Sequence, residues 1–267
     1  MKQKMGRKKK HWAELARSWI WYFEVKKRCG WTDYKLDVEF AWKQDARDGK
    51  PNEDRPRTFE CLRRSAQNPT SSYDRRGMAE LVCAVEKNPL FQGTQVMYEA
   101  DFWNLAQGIS LHPDNVDATI CRLLDANDLV RADACFETKI VHVMDEYGLP
   151  VIYDRCLRLS LNRIDNFSQI SLLWGSYLLS EPSSNWKIRD VIKIIADQWF
   201  DNFFAKYLPE KHGHFYPDAL HSLQSSRLDL SKLSGVGYGY FETLGNQIII
   251  PKVLLGKLVP SHLGLEY

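Results

Sequence analysis

Long stretches of this chain carry an apolar side chain at every third or fourth position, a spacing that is typical of helices with one buried face. Between His11 and Gly30 this stripe comprises Trp12, Leu15, Ala16, Trp19, Ile20 and Phe23. Between Trp186 and Tyr207 it comprises Ile188, Val191, Ile192, Ile195, Trp199, Phe203 and Tyr207. Residues 167–179 also have a helical pattern. We therefore predict a mainly α fold with minor β, in which most of the nine tryptophans fill the core.

The charge is distributed unevenly along the sequence. Residues 1–76 contain 20 Lys and Arg against 11 Asp and Glu, and the remaining 191 residues contain 16 against 23. A basic N-terminal part followed by an acidic remainder indicates a polyanionic partner for the first part and a different partner for the rest. The acidic C-terminal half is a candidate surface for a protein partner or for self-association.

The first ten residues are the most basic segment, with five Lys and one Arg. They are interpreted either as a solvated tail or as an arm that binds phosphate through Lys8, Lys9 and Lys10. A short helix predicted over residues 58–66 adds Arg63 and Arg64 as candidate phosphate contacts. The sequence does not establish whether these groups form one surface.

Cysteine usage and hydropathy indicate a compartment. None of the six cysteines occurs as a C-x-x-C pair, no apolar region follows the basic start, and no run is long enough to span a membrane. We expect a reduced, cytoplasmic protein without a membrane partner.

The middle of the chain has a distinctive order of predicted elements. A short helix over 101–106 is followed by a tight connection from Gly108 to Pro113, and Val116–Leu124 follows as a second helix. Leu129-Val-Arg131 then begins a run of strands. Strands are predicted over 138–144 and 149–161, with turn chemistry at 145–148 between them. This order predicts two helices followed by a β-hairpin.

This region, residues 101–161, resembles the winged helix-turn-helix superfamily, in the manner of bacterial multiple-antibiotic-resistance-type regulators. The resemblance rests on Val116–Leu124 followed by Leu129-Val-Arg131. It implies that the second helix buries Val116, Ile120, Leu123 and Leu124. It also implies that DNA is contacted by the outward residues Asn115, Thr119 and Arg122, and by Arg131 and Lys139 at or near the wing.

Two features depart from the family pattern. Asp128 stands where a glycine usually precedes the wing, although Asn and Asp also adopt the left-handed conformation. Asp114, Asp117 and Asp125 place negative charge on the helix that would face phosphates. A winged helix that binds protein instead of DNA is therefore an alternative, as is a fold without a winged helix.

Two residue patterns suggest enzymes. Pro113-Asp114 with Glu137-Thr-Lys139 matches loosely the acidic and lysine residues of metal-dependent nucleases. His212, His214, Asp218 and His221 are residue types that ligate metals, but they lack a regular scaffold. No nucleotide-binding or nucleophile motif is present, and Gly235–Gly239 lacks the context of a phosphate loop. We predict no catalytic residue, metal or cofactor.

Four segments are predicted: a basic tail (1–10), a basic helical region (11–90), a winged-helix-like unit (91–162), and a C-terminal region (163–267). The last combines a helical hairpin with irregular structure over 209–233 and a short strand at 247–250. The leading functional hypothesis is a non-enzymatic protein that binds duplex DNA. A protein adaptor and a metal-dependent nuclease are the alternatives.

Overall fold

The computed structural model describes residues 10–42, 57–65, 77–108, 110–126, 129–133, 166–179, 186–209, 215–229, 231 and 247–251. Helix accounts for 84% of the interpretable residues, which confirms the mainly α prediction. The helices are α1 (Trp12–Cys29), α2 (Asp33–Leu36), α3 (Thr58–Ser65), α4 (Met78–Glu86), α5 (Thr94–Tyr98), α6 (Asp101–Gln107), α7 (Pro113–Ala126), α8 (Asn166–Leu179), α9 (Trp186–Tyr207) and α10 (Phe215–Ser225). A π-helical segment, Asp37–Trp42, continues α2, and a 3₁₀ turn covers Pro89–Phe91.

Helix α1 has the ends that its sequence predicts. Gly30 adopts a left-handed conformation at φ 62° and donates its N–H to the carbonyl of Lys26, so it terminates the helix. Lys26, Lys27 and Arg28 occupy the last turn, where the helix dipole favours cations. Thr32 then accepts a hydrogen bond from the backbone of Lys35 and begins α2.

Among the described residues, four short strands make two separate pairs. Strand β1 (Ser110–Leu111) runs parallel to β3 (Arg227–Leu228). Strand β2 (Leu129–Asp133) runs antiparallel to β4 (Gln247–Pro251), from the pair Leu129 and Pro251 to the pair Asp133 and Gln247. The strands predicted at 129–131 and 247–250 are thus confirmed. The predicted wing strands at 138–144 and 149–161 lie outside the described residues.

One prediction in the C-terminal region is wrong. Residues 209–233 were expected to be irregular because they are polar, but α10 occupies Phe215–Ser225 within them. Phe215, Ala219 and Leu223 recur every fourth residue and are all buried. This spacing gives α10 an apolar stripe that the polar composition of the segment obscures.

The chain divides into two compact units. The first comprises residues 1–103 and 204–218, and the second comprises residues 104–203 and 219–267. Each unit therefore combines two stretches of the sequence. The four segments predicted above are consecutive in the sequence and rest on composition, not on packing. This division into segments stays a prediction.

The core of the first unit forms where α1 packs against α3 and the segments around α4 and α5. Its buried members are Trp21, Tyr22, Val25, Leu36, Phe40, Phe59, Leu62, Leu81, Val82, Val85, Phe91 and Tyr98. The indole Nε1 of Trp19 donates a 2.6 Å hydrogen bond to the carbonyl of Leu62 and so joins α1 to α3. Six of these twelve members are aromatic, although Trp21 is the one tryptophan among them.

A carboxylate joins α4 to α5 in the same unit. Glu86 accepts hydrogen bonds from the backbone N–H groups of Gly93 and Gln95 and from the hydroxyl of Thr94. Burial acts to raise the pKa of Glu86, but these donors outweigh it and hold the pKa below its usual value. Glu86 therefore caps α5 in its ionised form.

In the second unit, aromatic contacts join α8 to α9. The ring centroids of Phe167 and Phe203 lie 5.0 Å apart, and those of Trp174 and Phe200 lie 5.7 Å apart. Residue numbers rise along α8 as those of the partners fall along α9, so the two helices are antiparallel. This arrangement agrees with the predicted helical hairpin. Within the described part of the chain, no helix has both the length and the apolar character needed to cross a bilayer.

Candidate nucleic-acid interface

Helix α7 has one buried face. Pro113, Val116, Ile120 and Leu124 are buried along it. This face packs on α8, where Gly175 allows a close approach by the side chain of Ile120. The sequence predicted this inward face, with the exception that Leu123 is half-buried.

The predicted DNA-contacting residues of α7 form a separate stripe. Since successive helical residues are about 100° apart, Asn115, Thr119 and Arg122 lie within about 60° of one another around the axis. Asn115 and Arg122 are exposed, and Thr119 is half-buried at the margin of the packed face. The three residues thus share one side of α7, on which Asn115 and Arg122 are exposed.

The acidic residues of α7 lie on a third side. Asp114, Asp117 and Asp125 are centred about 120° from the stripe of Asn115, Thr119 and Arg122. Nδ1 of His112 lies 3.7 Å from Asp114, and the thiol of Cys121 lies 3.9 Å from Asp117. Three carboxylates against one guanidinium leave α7 with a negative formal charge.

In the first unit, Arg63 lies in a cluster of charged groups around Asp33. One Asp33 oxygen lies 2.8 Å from Nε of Arg63, and the other accepts a 2.7 Å hydrogen bond from Tyr22 and lies 3.2 Å from Nζ of Lys26. Burial acts to raise the pKa of Asp33, but these three donors outweigh it and the pKa is lowered. Burial, together with the bond to Asp33, raises the pKa of the Tyr22 hydroxyl. Asp33 is therefore ionised and holds two cations.

The remaining predicted contacts are dispersed. Arg64 is exposed and pairs with Glu60 at 2.7 Å, one helical turn away. Lys10 is half-buried just before α1, and Arg131 lies in β2 opposite Ile249. Lys8, Lys9 and Lys139 lie outside the described residues. The predicted contacts that the structure describes thus form two groupings, one on α7 and one around Asp33.

Lys26, which the sequence did not single out as a candidate phosphate contact, lies beside Arg63 at Asp33. Sequence reasoning also did not consider Arg189, whose guanidinium lies over the ring of Tyr177 at 4.4 Å. A signal for Arg189 was available, because this residue precedes the buried Ile192 and Ala196 by three and seven positions. An arginine at such positions lies on the apolar stripe of a helix.

The described residues give little support to the two enzyme patterns. Asp114 of the loose nuclease pattern is exposed in the first turn of α7, and its proposed partners at 137 and 139 lie outside the described residues. Asp218 and His221 are exposed on α10, while His212 and His214 are outside the described residues. Among the residues that the structure describes, no group of three or more His, Cys, Asp or Glu is placed to hold a metal ion.

Comparisons with protein-family models, with curated proteins and with solved structures find no match to this chain.

Proposed function

We propose that this chain is a cytoplasmic, non-enzymatic protein that binds duplex DNA, as a regulator or an accessory factor of a bacterial or mobile-element system. In this proposal α7 is the recognition helix of a winged helix-turn-helix and enters the major groove. The observation that carries the proposal is the division of α7 into a face packed on α8 and an opposite stripe with exposed Asn115 and Arg122.

The chemistry of this stripe fits the edges of bases. The guanidinium of Arg122 matches the two acceptors of guanine, and the amide of Asn115 matches the acceptor and donor of adenine. Thr119, at the margin of the packed face, has a hydroxyl group and a methyl group that suit contacts with either base type. Because the acidic residues are centred about 120° away, they do not share the line along which these side chains project.

Affinity in this proposal comes from phosphate contacts, which carry no sequence preference. The contributing cations are Lys8, Lys9, Lys10, Arg63, Arg64, Arg131 and Lys139. Arg64 is exposed and pairs on α3 with Glu60, which is half-buried. Such pairs are weak, so a phosphate can replace Glu60 as the partner of Arg64 at little cost.

The test is a binding measurement by fluorescence anisotropy on duplexes selected from a random pool, at several salt concentrations. We expect Arg122→Ala to weaken binding to the selected site by roughly 5- to 150-fold, since one base contact is worth about 1–3 kcal/mol. Removal of residues 1–10 should reduce the salt dependence for every sequence. Lys87→Ala, which removes an exposed cation outside the proposed interface, is the matched control and should change neither quantity.

If wild-type protein selects no duplex, or if neither Arg122→Ala nor the deletion alters binding, the proposal is wrong. Mg²⁺-dependent cleavage of the duplex that disappears in Lys139→Ala would instead support the nuclease alternative.

A second candidate function is favoured by the exposed carboxylates of α7. Asp114 and Asp125 are exposed and carry charge that suits a basic protein surface better than a phosphate backbone. In this alternative α7 docks onto a basic partner protein, and the chain is an adaptor. Asp125→Lys distinguishes the two functions, because it should strengthen DNA binding under the first and abolish partner binding under the second.

A further inference from the structure

Two stretches of the first unit, residues 24–36 and 57–65, are strongly basic. Together they contain seven Lys and Arg against three Asp and Glu. Nζ of Lys26 and Nε of Arg63 lie 3.2 and 2.8 Å from different oxygens of Asp33. This carboxylate therefore joins the two stretches and places their cations on neighbouring elements.

The charged groups of these stretches differ in exposure according to their sign. All three carboxylates are half-buried, whereas five of the seven cations are exposed. The exposed cations are Lys27, Lys35, Arg57, Arg63 and Arg64. The charge that the two stretches present to solvent is therefore mainly positive, which suits a polyanion.

An exposed aromatic ring lies among these cations. Tyr34 stands between Asp33 and Lys35 in α2, and 53% of its surface is exposed. No other Phe, Tyr or Trp whose side chain the structure describes is exposed. Nζ of Lys35 lies 4.0 Å from the ring centroid of Trp31, which holds this cation beside Tyr34. The one exposed aromatic ring of the described residues thus coincides with the basic surface.

We propose that residues 24–36 and 57–65 form a surface that binds single-stranded nucleic acid, with a base stacked on the ring of Tyr34. Exposed cations contact the phosphates of the strand, and stacking on an aromatic ring accepts any base. In a duplex the neighbouring base pairs cover the faces of each internal base, whereas a single strand leaves these faces accessible. An exposed ring beside clustered cations therefore fits a single strand better than a duplex. The proposal does not rest on α7, although Arg63 and Arg64 are assigned to phosphates in both cases.

The first test uses wild-type protein and does not depend on a variant. Fluorescence anisotropy measures binding of the full chain to labelled strands of about 12 nucleotides: a thymidine strand, a uridine strand and an abasic DNA strand. The abasic strand keeps the phosphates but offers no base for stacking. We expect the thymidine or the uridine strand to bind at least roughly 5-fold more tightly than the abasic strand. The tighter of the two identifies DNA or RNA as the ligand.

The second test varies the ring. Tyr34→Ala should weaken binding to the preferred strand by roughly 5- to 150-fold, the loss of one stacked base, and leave binding to the abasic strand unchanged. Tyr34→Phe keeps the ring and should bind as the wild type does. Val96→Ala is the matched control, because it shortens a 71% exposed apolar side chain elsewhere in the first unit and should change nothing.

The third test varies the charge. Lys35→Gln removes one proposed phosphate contact, so the slope of log K against log salt concentration should fall in magnitude by about 0.7. The change should be the same on the preferred strand and on the abasic strand, since both carry the same phosphates.

Equal affinity of the wild type for all three strands would overturn the proposal, because it would indicate a surface for polyanions in general. A loss in Tyr34→Ala that Tyr34→Phe does not avoid, or that is as large on the abasic strand, would overturn it as well. Arg122→Ala separates this proposal from the duplex proposal, since it should leave single-strand binding unchanged. Either proposal can therefore fail while the other holds.

Discussion

The contact between α7 and α8 gives a sharp prediction, because it depends on the missing side chain of Gly175. A Cβ at this position would lie 2.1 Å from Cδ1 and 2.6 Å from Cγ1 of Ile120. Neither distance is compatible with van der Waals contact. Gly175→Ala therefore requires Ile120 to change its rotamer or α7 to move away from α8.

Two opposing effects set the magnitude. Alanine is favoured over glycine in a helix interior by roughly 0.5–1 kcal/mol. Overpacking a buried contact costs about 1–3 kcal/mol. Since both Cδ1 and Cγ1 of Ile120 are too close, rotation of the end of the side chain alone does not relieve the overlap. We expect Gly175→Ala to lower the free energy of unfolding by about 1 kcal/mol, the net of these two ranges.

Urea unfolding of Gly175→Ala, Ile120→Ala and the double variant measures this contact. Ile120→Ala alone should cost about 2–5 kcal/mol through the cavity it leaves. In that background Gly175→Ala should become stabilising, because the added methyl group enters the cavity, and the coupling between the two changes should be about 1–3 kcal/mol. Ala118→Gly, at an exposed position of α7, measures the helix-propensity effect separately. A stabilising Gly175→Ala in wild type, or equal effects in both backgrounds, would refute the close contact.

Two further predictions concern the first unit. Trp19→Phe leaves the carbonyl of Leu62 without its indole donor and should lower the free energy of unfolding by about 1–3 kcal/mol; an unchanged urea midpoint would contradict this. Because the pKa of Glu86 is lowered in the folded state, its contribution to stability is present above its unfolded pKa of about 4.5 and is lost as the pH falls through the folded pKa. Glu86→Gln should therefore weaken the acid dependence of the urea midpoint, and an identical pH profile would exclude this role for Glu86.

The sequence predicts the long helices well because their signals are local. The three- and four-residue spacing from Trp12 onwards, with Gly30 as the stop, is sufficient to define α1, and the same period predicts α9 over Trp186–Tyr207 with both ends correct. Helix α10 was missed although Phe215, Ala219 and Leu223 keep this period. Only three apolar residues define its buried side, and the polar residues between them dominate the composition.

Contacts between distant parts of the sequence could not be predicted in this way. Arg63 pairs with Asp33 across 30 residues of sequence, and the indole of Trp19 bonds to Leu62 across 43. Nothing in the spacing of charged residues distinguishes these partners from others, because packing of the helices brings them together. The sequence therefore supplied the candidate cations but not the carboxylates that they contact.

These ion pairs affect how the positive charge of the basic N-terminal part, residues 1–76, should be interpreted. Lys26 and Arg63 both contact Asp33, Arg28 pairs with Glu24, and Arg64 pairs with Glu60. These carboxylates are among the 11 acidic residues of 1–76, so the pairs show which basic side chains are neutralised and leave the excess of basic residues unchanged. Residues 1–10 contain six basic residues and no acidic one, so no carboxylate within that segment offsets their charge. For the DNA-binding proposal, removal of this segment should therefore reduce the salt dependence more strongly than the loss of any single arginine of α3.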